Sequence, residues 1–95
     1  MGLSKIILEG YILVPDDELK LVQNELPNHI LLTRQEQGCI VFDVNQSSEN
    51  INEFSVYEEF TSQAAFDSHQ ARVKSSRWGR LTSNVERHYQ IRTVK

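Results

Sequence analysis

Hydrophobic and polar residues alternate over residues 4–14, near the start of the chain. Apolar side chains occupy both parities of this segment, Ile6, Leu8, Ile12 and Val14 on one and Ile7, Tyr11 and Leu13 on the other. A period of two is typical of a β-strand, and apolar residues on both parities indicate a strand that is covered on both faces. We therefore predict a first strand here, ended by Pro15.

The segment after Pro15 predicts a helix. Asp16, Asp17 and Glu18 supply an N-cap and negative charge, both of which favour a helix N-terminus. The apolar stripe of this helix comprises Leu19, Val22, Leu26, Ile30 and Thr33. Gly38 provides a C-terminal stop, and Pro27 is expected to kink or restart the helix.

The rest of the chain continues the succession of strands and helices. The predicted elements are strands at 39–46, Glu53–Phe60 and Arg87–Val94, a second helix from Thr61 or Ser62 to about Arg77, and a helical segment from Trp78. The order βαββαβ predicts an α+β, ferredoxin-like fold, in which an antiparallel sheet carries both helices on one face. Residues 1–95 are expected to form a single domain.

Length and composition add the expectation of an oligomer. With 95 residues, 39% of them hydrophobic and 24% charged, the chain can build one small core, which excludes most multi-domain cofactor enzymes. A domain of this size that also encloses a ligand pocket has little stability to spare. Association of subunits would supply the missing burial.

The second face of the predicted sheet offers a surface for that association. Its residues are Ile7, Tyr11, Leu13, Cys39, Val41 and Tyr57. They are too apolar to face water while the helices cover the first face. We therefore expect a homodimer that packs sheet against sheet, because one patch then serves both subunits.

The net charge of −3 conceals an asymmetry along the chain. Residues 1–60 hold eleven acids and three bases, which gives −8, and residues 61–95 hold two acids and seven bases, which gives +5. This asymmetry indicates either complementary solvated surfaces or an anion site near Arg72, Lys74, Arg77 and Arg80. The acidic balance disfavours nucleic-acid binding, and the glutamates of Glu53–Phe60 disfavour an RNA-recognition domain.

Cysteine usage and hydropathy indicate a cytoplasmic protein without a membrane partner. Cys39 is the only cysteine, so neither an internal disulfide nor a cysteine-rich metal site is available. No apolar run approaches the roughly 20 residues that span a bilayer. The N-terminal residues also lack the order of charge and hydropathy of a signal peptide.

Two titratable side chains are predicted on the core face of the fold. Glu58 shares the parity of Phe54, Val56 and Phe60 in its strand, and His69 lies near the centre of the second helix's apolar face. Burying either group alone is costly, so we infer that the two side chains meet. Their contact is either a hydrogen bond that fixes packing or a carboxylate that orients a general base.

Other candidate residues are less specific. His29, at the edge of the first helix's stripe, either lines the same cavity or faces solvent. With His69 and Glu58 it would form the ligand set of a non-haem iron site, but these residues lack local ligand spacing and we expect no metal. Trp78 either covers a pocket mouth or fills the core. The four glycines are scattered, which disfavours a nucleotide cofactor.

Several segments along nearly the whole chain carry a family resemblance. They are Val14-Pro15, Leu26-Pro27-Asn28-His29, Thr33-Arg34-Gln35-Glu36-Gln37-Gly38-Cys39, Phe42-Asp43-Val44, Phe54-Ser55-Val56-Tyr57-Glu58-Glu59-Phe60, Ala65-Phe66-Asp67-Ser68-His69-Gln70 and Ser76-Arg77-Trp78-Gly79. The chain resembles the antibiotic biosynthesis monooxygenase family, in particular its small quinol monooxygenases. The most specific part is Tyr57-Glu58 followed by Ala65-Phe66 and His69.

The resemblance implies a dimeric α+β barrel with a pocket between sheet and helices in each subunit. It also implies that dioxygen oxidises a quinol, anthrone or related phenol there without a cofactor. His69 matches the family's helix histidine and would be the base, and Glu58 matches its strand carboxylate and would orient that base. The residues expected to bind the aromatic substrate are Trp78, His29, Phe66, Tyr11 and Arg72.

Two alternatives remain open. A related branch isomerises a phosphorylated sugar-like signalling molecule, and for that reaction the basic residues at 72–80 would hold the phosphate. The other alternative is a non-catalytic small-molecule-binding module, because this fold serves many functions. Haem-degrading branches are disfavoured, since the segment after Trp78 lacks the histidine that binds their iron.

Overall fold

Four antiparallel strands form the sheet in a computed structural model that describes residues 4–95. The strands are β1 (Lys5–Leu13), β2 (Cys39–Gln46), β3 (Glu53–Phe60) and β4 (Glu86–Val94), in the spatial order β2-β3-β1-β4. The helices are α1 (Leu19–Arg34), α2 (Gln63–Lys74) and the short α3 (Arg77–Leu81). The predicted ferredoxin-like α+β fold is confirmed, with α3 between α2 and β4.

One face of the sheet carries the core. In β3 the inward-facing residues are Phe54, Val56, Glu58 and Phe60, all of which are buried. Glu58 stands opposite Leu8 of β1 and Phe42 of β2, so this carboxyl lies in the middle of an apolar face. The helices complete the same cluster with Val22, Phe66 and Trp78.

The beginning of α1 and its passage through Pro27 both differ from expectation. Asp16–Glu18 form a separate turn of 3-10 helix, and the N-cap residue Glu18 makes no capping hydrogen bond, because its side chain accepts one from Asn84 at 2.9 Å instead. The predicted restart at Pro27 does not occur, because α1 is continuous. Proline removes one backbone hydrogen bond, but packing on both sides of it holds the helix. The residues that α1 buries are Val22, His29 and Thr33.

A close contact between α2 and α3 positions the only tryptophan. The second helix ends at Lys74, earlier than predicted, and Ser76 caps α3 by accepting a hydrogen bond from the Gly79 backbone N–H at 3.1 Å. A Cβ atom on Gly79 would lie 2.1 Å from the carbonyl oxygen of Val73. Glycine therefore allows α3 to pack directly against the end of α2, and this packing buries Trp78.

The opposite face of the sheet is partly exposed. Ile7 is buried within the single chain, whereas Tyr11 is 36% exposed and stacks on His88 with 4.7 Å between ring centroids. A groove of about 650 Å³ crosses this face and is lined by residues of β1, β3 and β4. On the face predicted to be apolar, Ile7 is thus already buried within the single chain, whereas Tyr11 borders an open groove.

Candidate active site

His69 and Glu58 meet on the inner side of the sheet. His69 lies in α2, whose start is fixed by Ser62, because the Ser62 hydroxyl accepts a hydrogen bond from the Ala65 backbone N–H at 3.1 Å. His69 is 3% exposed and Glu58 6%. The Nε2 atom of His69 is 3.7 Å from Oε1 of Glu58, which is too long for a hydrogen bond.

The hydrogen-bond partner of His69 is Glu36, in the turn after α1. Nδ1 of His69 is 3.1 Å from both carboxylate oxygens of Glu36. A carboxylate can only accept, so Nδ1 carries the proton and donates it, and Nε2 keeps a free lone pair. This contact corrects the expectation that Glu58 orients the histidine.

Arg72 holds the Glu36 carboxylate in place. Its Nε donates to Glu36 Oε2, and its Nη2 donates to the Thr33 hydroxyl at 2.9 Å. Arg72 therefore acts on the candidate base through Glu36. Arg72 borders a separate groove of about 490 Å³ beside the start of α2. This position differs from the expectation that Arg72 contacts the substrate.

Gly38 explains how Glu36 reaches α2. Its φ angle is +93°, a conformation that favours glycine, and a Cβ atom there would lie 2.6 Å from Cβ of Ala65. The backbone N–H of Thr61 also donates to the Gly38 carbonyl at 2.8 Å. The turn can thus lie directly against the start of α2, which brings Glu36 to His69.

Burial keeps both groups of the central pair uncharged near neutral pH. Burial lowers the pKa of His69, although the hydrogen bond and negative charge of Glu36 partly oppose that shift. Burial also raises the pKa of Glu58 to about 8, and the nearby Glu36 charge adds to the effect. A neutral base therefore faces a protonated carboxyl.

A small cavity adjoins Glu58. It has a volume of about 30 Å³, room for one water-sized molecule. Its lining residues are Ile12, His29, Phe42, Val44, Val56, Glu58, Trp78, Arg87 and Tyr89. Two buried atoms of this lining, Glu58 Oε1 and His29 Nδ1, have no hydrogen-bond partner among residues 4–95.

His29 and Trp78 form one wall of the cavity. Their ring centroids are 4.4 Å apart and their planes differ by 3°, which is a stacked arrangement. His29 is 4% exposed, so the interpretation of an edge residue facing solvent is wrong. Burial, followed by the charges of His69 and Arg72, lowers the pKa of His29 to about 3, and the ring is neutral.

Two residues expected to line the pocket lie elsewhere. Phe66 packs in the core against Phe60, with 5.7 Å between ring centroids, and does not border the cavity. Tyr11 has the outward parity of β1 and lies on the opposite face of the sheet. The structure therefore brings Glu58, His29 and Trp78 to the cavity. His69 lies 3.7 Å from Glu58 but is not part of the lining, and Phe66 and Tyr11 also lie outside it.

Three residues of the site were not predicted, namely Glu36, Arg87 and Tyr89. Tyr89 stands opposite Gly10 in the sheet and Arg87 opposite Ile12, which gives both the inward parity. The phenol of Tyr89 is buried, and this burial raises its pKa to about 12. The parity of β4 could have indicated both residues, but its few apolar side chains made the alternation weak.

The basic residues of the C-terminal half do not converge on one anion site. Arg72 pairs with Glu36, and Arg77 pairs with Glu25 of α1 at 3.2 Å. Arg80 donates to the backbone carbonyl of Ser75 at 3.1 Å. Because these guanidinium groups bind different internal partners, the geometry gives little support to a phosphate site.

Two negative findings concern the described part of the chain, residues 4–95. No group of three or more His, Cys, Asp or Glu side chains there is arranged to hold a metal ion. No helix in the same part is long and apolar enough to cross a membrane.

Comparison with known families identifies the chain. The family model described as antibiotic biosynthesis monooxygenase matches residues 5–80. The chain belongs to this family. The match covers β1 to α3 and includes every candidate residue except Arg87 and Tyr89. A search of proteins with curated functions found no significant match.

Solved structures share the fold at low sequence identity. A proposed antibiotic biosynthesis monooxygenase from Nitrosomonas europaea is 16% identical, with 98% of this chain and 89% of that chain covered and a TM-score of 0.75. A second, from Deinococcus radiodurans, is 20% identical, with 95% and 90% covered and a TM-score of 0.74. A Bacteroides thetaiotaomicron protein described as a possible oxidoreductase is 15% identical, with 97% of both chains covered and a TM-score of 0.76.

Proposed function

We propose that the protein is a cofactor-independent monooxygenase that oxidises a quinol, anthrone or related phenol with dioxygen. The observation that carries this proposal is a buried, neutral His69 whose Nδ1 proton is fixed by Glu36 and whose Nε2 is free. Membership of the antibiotic biosynthesis monooxygenase family supports the reaction class. The monooxygenase and oxidoreductase descriptions of the structural neighbours agree with it.

His69 would act as the general base. Its Nε2 removes a proton from the phenol or from an acidic C–H group, and the electron-rich anion then reduces dioxygen. The imidazolium that forms is stabilised by the Glu36 carboxylate at 3.1 Å. Apolar walls would shield the reactive anion from water.

Substrate binding requires the cavity to enlarge and to extend to His69, because 30 Å³ is too small for a phenol and His69 does not border the cavity. The stack of Trp78 on His29 shows that a planar ring fits against this imidazole. Trp78 lies in α3, a helix of five residues. We infer that α3 moves outward and that the substrate ring takes the place of the indole against His29.

We expect two copies of the chain to form a homodimer through the second face of the sheet. The open groove on the second sheet face and the 36% exposure of Tyr11 support association through this surface. Tyr11→Glu should convert a dimer into monomers in sedimentation velocity. A native protein that sediments as a monomer would contradict this part of the proposal.

We also expect the chain to act in the cytoplasm, where its free Cys39 stays reduced.

Oxygen uptake with quinols and anthrones tests the proposed activity. His69→Gln should lower turnover by about 10² to 10⁴-fold, the range expected for loss of a general base, while substrate binding persists. Gln70→Ala is the control, because it changes an exposed residue of the same helix. Unchanged turnover in His69→Gln would reject the proposed base. Binding of these phenols without oxygen uptake would indicate a non-catalytic module instead.

A further inference from the structure

Glu58 borders the small cavity, and one of its carboxyl oxygens lacks a hydrogen-bond partner among residues 4–95. Its Oε1 atom is buried and has no hydrogen-bond partner among the described residues, 4–95. Buried polar atoms are nearly always hydrogen-bonded, so this atom indicates a partner other than those side chains. The adjoining space of about 30 Å³ limits that partner to a water-sized molecule.

We propose that Glu58 is the acid that protonates the oxygen atom leaving as water, and that the small cavity beside it holds this water. The inference rests on the proposed oxygenation and adds a second catalytic residue to it. Glu36 already orients His69, which leaves the Glu58 carboxyl available for a different task.

The reaction balances with anthrone, whose methylene carbon becomes a carbonyl. One atom of dioxygen becomes the carbonyl oxygen, and the other becomes the oxygen of a water molecule. His69 removes one carbon proton, the carbanion gives two electrons to dioxygen and forms a C–O bond, and the peroxide takes the proton from His69. His69 then removes the second carbon proton. The electron pair of that C–H bond forms the C=O bond as the O–O bond breaks. The leaving hydroxide takes the Glu58 proton and becomes water.

The contact between His69 and Glu58 closes the cycle. After the O–O bond breaks, His69 is protonated and Glu58 is ionised. Nε2 of His69 lies 3.7 Å from Oε1 of Glu58, so a small shift, or the new water, lets the proton return. The first carbon proton ends in the water, the second replaces the proton that Glu58 gave to the hydroxide, and both side chains recover their starting states.

The surroundings of Glu58 keep it protonated before the reaction. Burial is the main reason that its pKa is about 8, and the Glu36 charge adds to the shift. The titratable and charged groups around it are His29 from α1, Glu36 from the next turn, His69 from α2, and Arg87 and Tyr89 from β4. An acid with this pKa can donate a proton at neutral pH and fails above about pH 8.

Two measurements on anthrone separate proton removal from oxygen chemistry. Exchange of the methylene protons in D2O under nitrogen reports the base alone, and anthraquinone formation in air reports the complete reaction. The Glu58→Gln variant should catalyse exchange of the anthrone protons at a rate within about twofold of the native rate. It should form anthraquinone at least about 100-fold more slowly and release the organic hydroperoxide. Glu49→Gln, at an exposed position, should match the native protein in both assays.

The pH profile and a second variant keep the test decisive. Native anthraquinone formation should decline above about pH 8, and the residual activity of Glu58→Gln should not show that decline. Glu58→Asp, which retains the acid but withdraws it from the cavity, should show the same separation if the glutamine variant does not fold. Native anthraquinone rates in Glu58→Gln, or equal losses of exchange and oxygenation, would overturn the role of Glu58. A native protein that neither exchanges nor oxidises anthrone would overturn the proposed function, and this inference with it.

Discussion

The imidazole of His69 and the carboxylate of Glu36 are hydrogen-bonded at 3.1 Å although 33 residues separate them in the chain. The contact joins a helix on the sheet to a turn at the end of another helix. It fixes the tautomer of the histidine and leaves Nε2 free toward Glu58. The strength of the proposed base therefore depends on a turn that lies outside the cavity beside Glu58.

Replacing Glu36 tests this dependence. Glu36→Gln keeps the shape but removes the charge, and loss of a charged hydrogen bond of about 1.5 to 3 kcal/mol should lower kcat about 10- to 100-fold. Because Glu36 raises the pKa of His69, the acidic limb of the activity profile should also move to lower pH. Steady-state kinetics across pH measures both effects.

Glu25→Gln is the matched control for this variant. It removes a carboxylate of α1 that also pairs with an arginine, Arg77, whereas the hydrogen-bond partner of His69 is Glu36. The acidic limb of its activity profile should stay at the native pH, because Glu25 does not hydrogen-bond His69. An unchanged acidic limb in Glu36→Gln, with normal turnover, would show that the hydrogen bond has only a packing role.

Gly38→Ala should affect both stability and activity. The φ angle of +93° is strained for alanine, and the new Cβ would lie 2.6 Å from that of Ala65, so we expect a loss of about 1 to 3 kcal/mol in urea unfolding. Displacement of the turn should also weaken the contact of Glu36 with His69 and lower kcat. The double variant with Ala65→Gly removes the clash and should recover part of the loss. Simple additivity of the two single variants would contradict the proposed clash.

Local patterns were sufficient to predict the fold and the inward direction of Glu58 and His69. Strand parity placed Glu58 among apolar residues, and helical periodicity did the same for His69. Both signals act over a few residues, where alternation and the helical turn leave little choice. The same signals correctly gave the limits of β3.

Contacts between distant elements were the part that could not be predicted. Glu36 belongs to a turn whose composition resembles any helix end, and only the approach allowed by Gly38 brings it to His69. His29 is buried because Trp78 stacks on it from α3, a contact that the periodicity of α1 alone does not contain. Such contacts depend on how the elements pack, which one sequence does not encode locally.

Binding of a substrate should change the fluorescence of Trp78. It is the only tryptophan, so the emission of the protein reports this residue directly. In the structure this residue is 7% exposed and its ring is stacked on His29, so displacement into water should shift the emission to longer wavelength. Titration with a non-oxidisable phenol under nitrogen measures the shift. Saturable binding without a spectral change would contradict the movement of α3.

The proton of Glu58 should make folding stability fall as pH rises above 6.5. The pKa of this carboxyl is about 8 in the folded protein and near 4.5 when unfolded, so between these values only the folded state holds the proton. The stabilisation is complete below pH 4.5 and is lost progressively up to about pH 8, by up to about 1.4 kcal/mol per pH unit. Urea unfolding at fixed protein concentration measures this slope.

His29 has the opposite effect and sets the useful pH range. Its pKa falls from 6.5 to about 3 on folding, so it raises stability as pH rises from 3 to 6.5 and adds no slope above that. Between pH 6.5 and 8, therefore, Glu58 should change the folding stability with pH and His29 should not. Glu58→Gln should flatten the plot of folding stability against pH in this range. Equal slopes for the native protein and this variant would mean that the Glu58 carboxyl is ionised in the folded state. The same result would remove the acid that the proposed water-forming step requires.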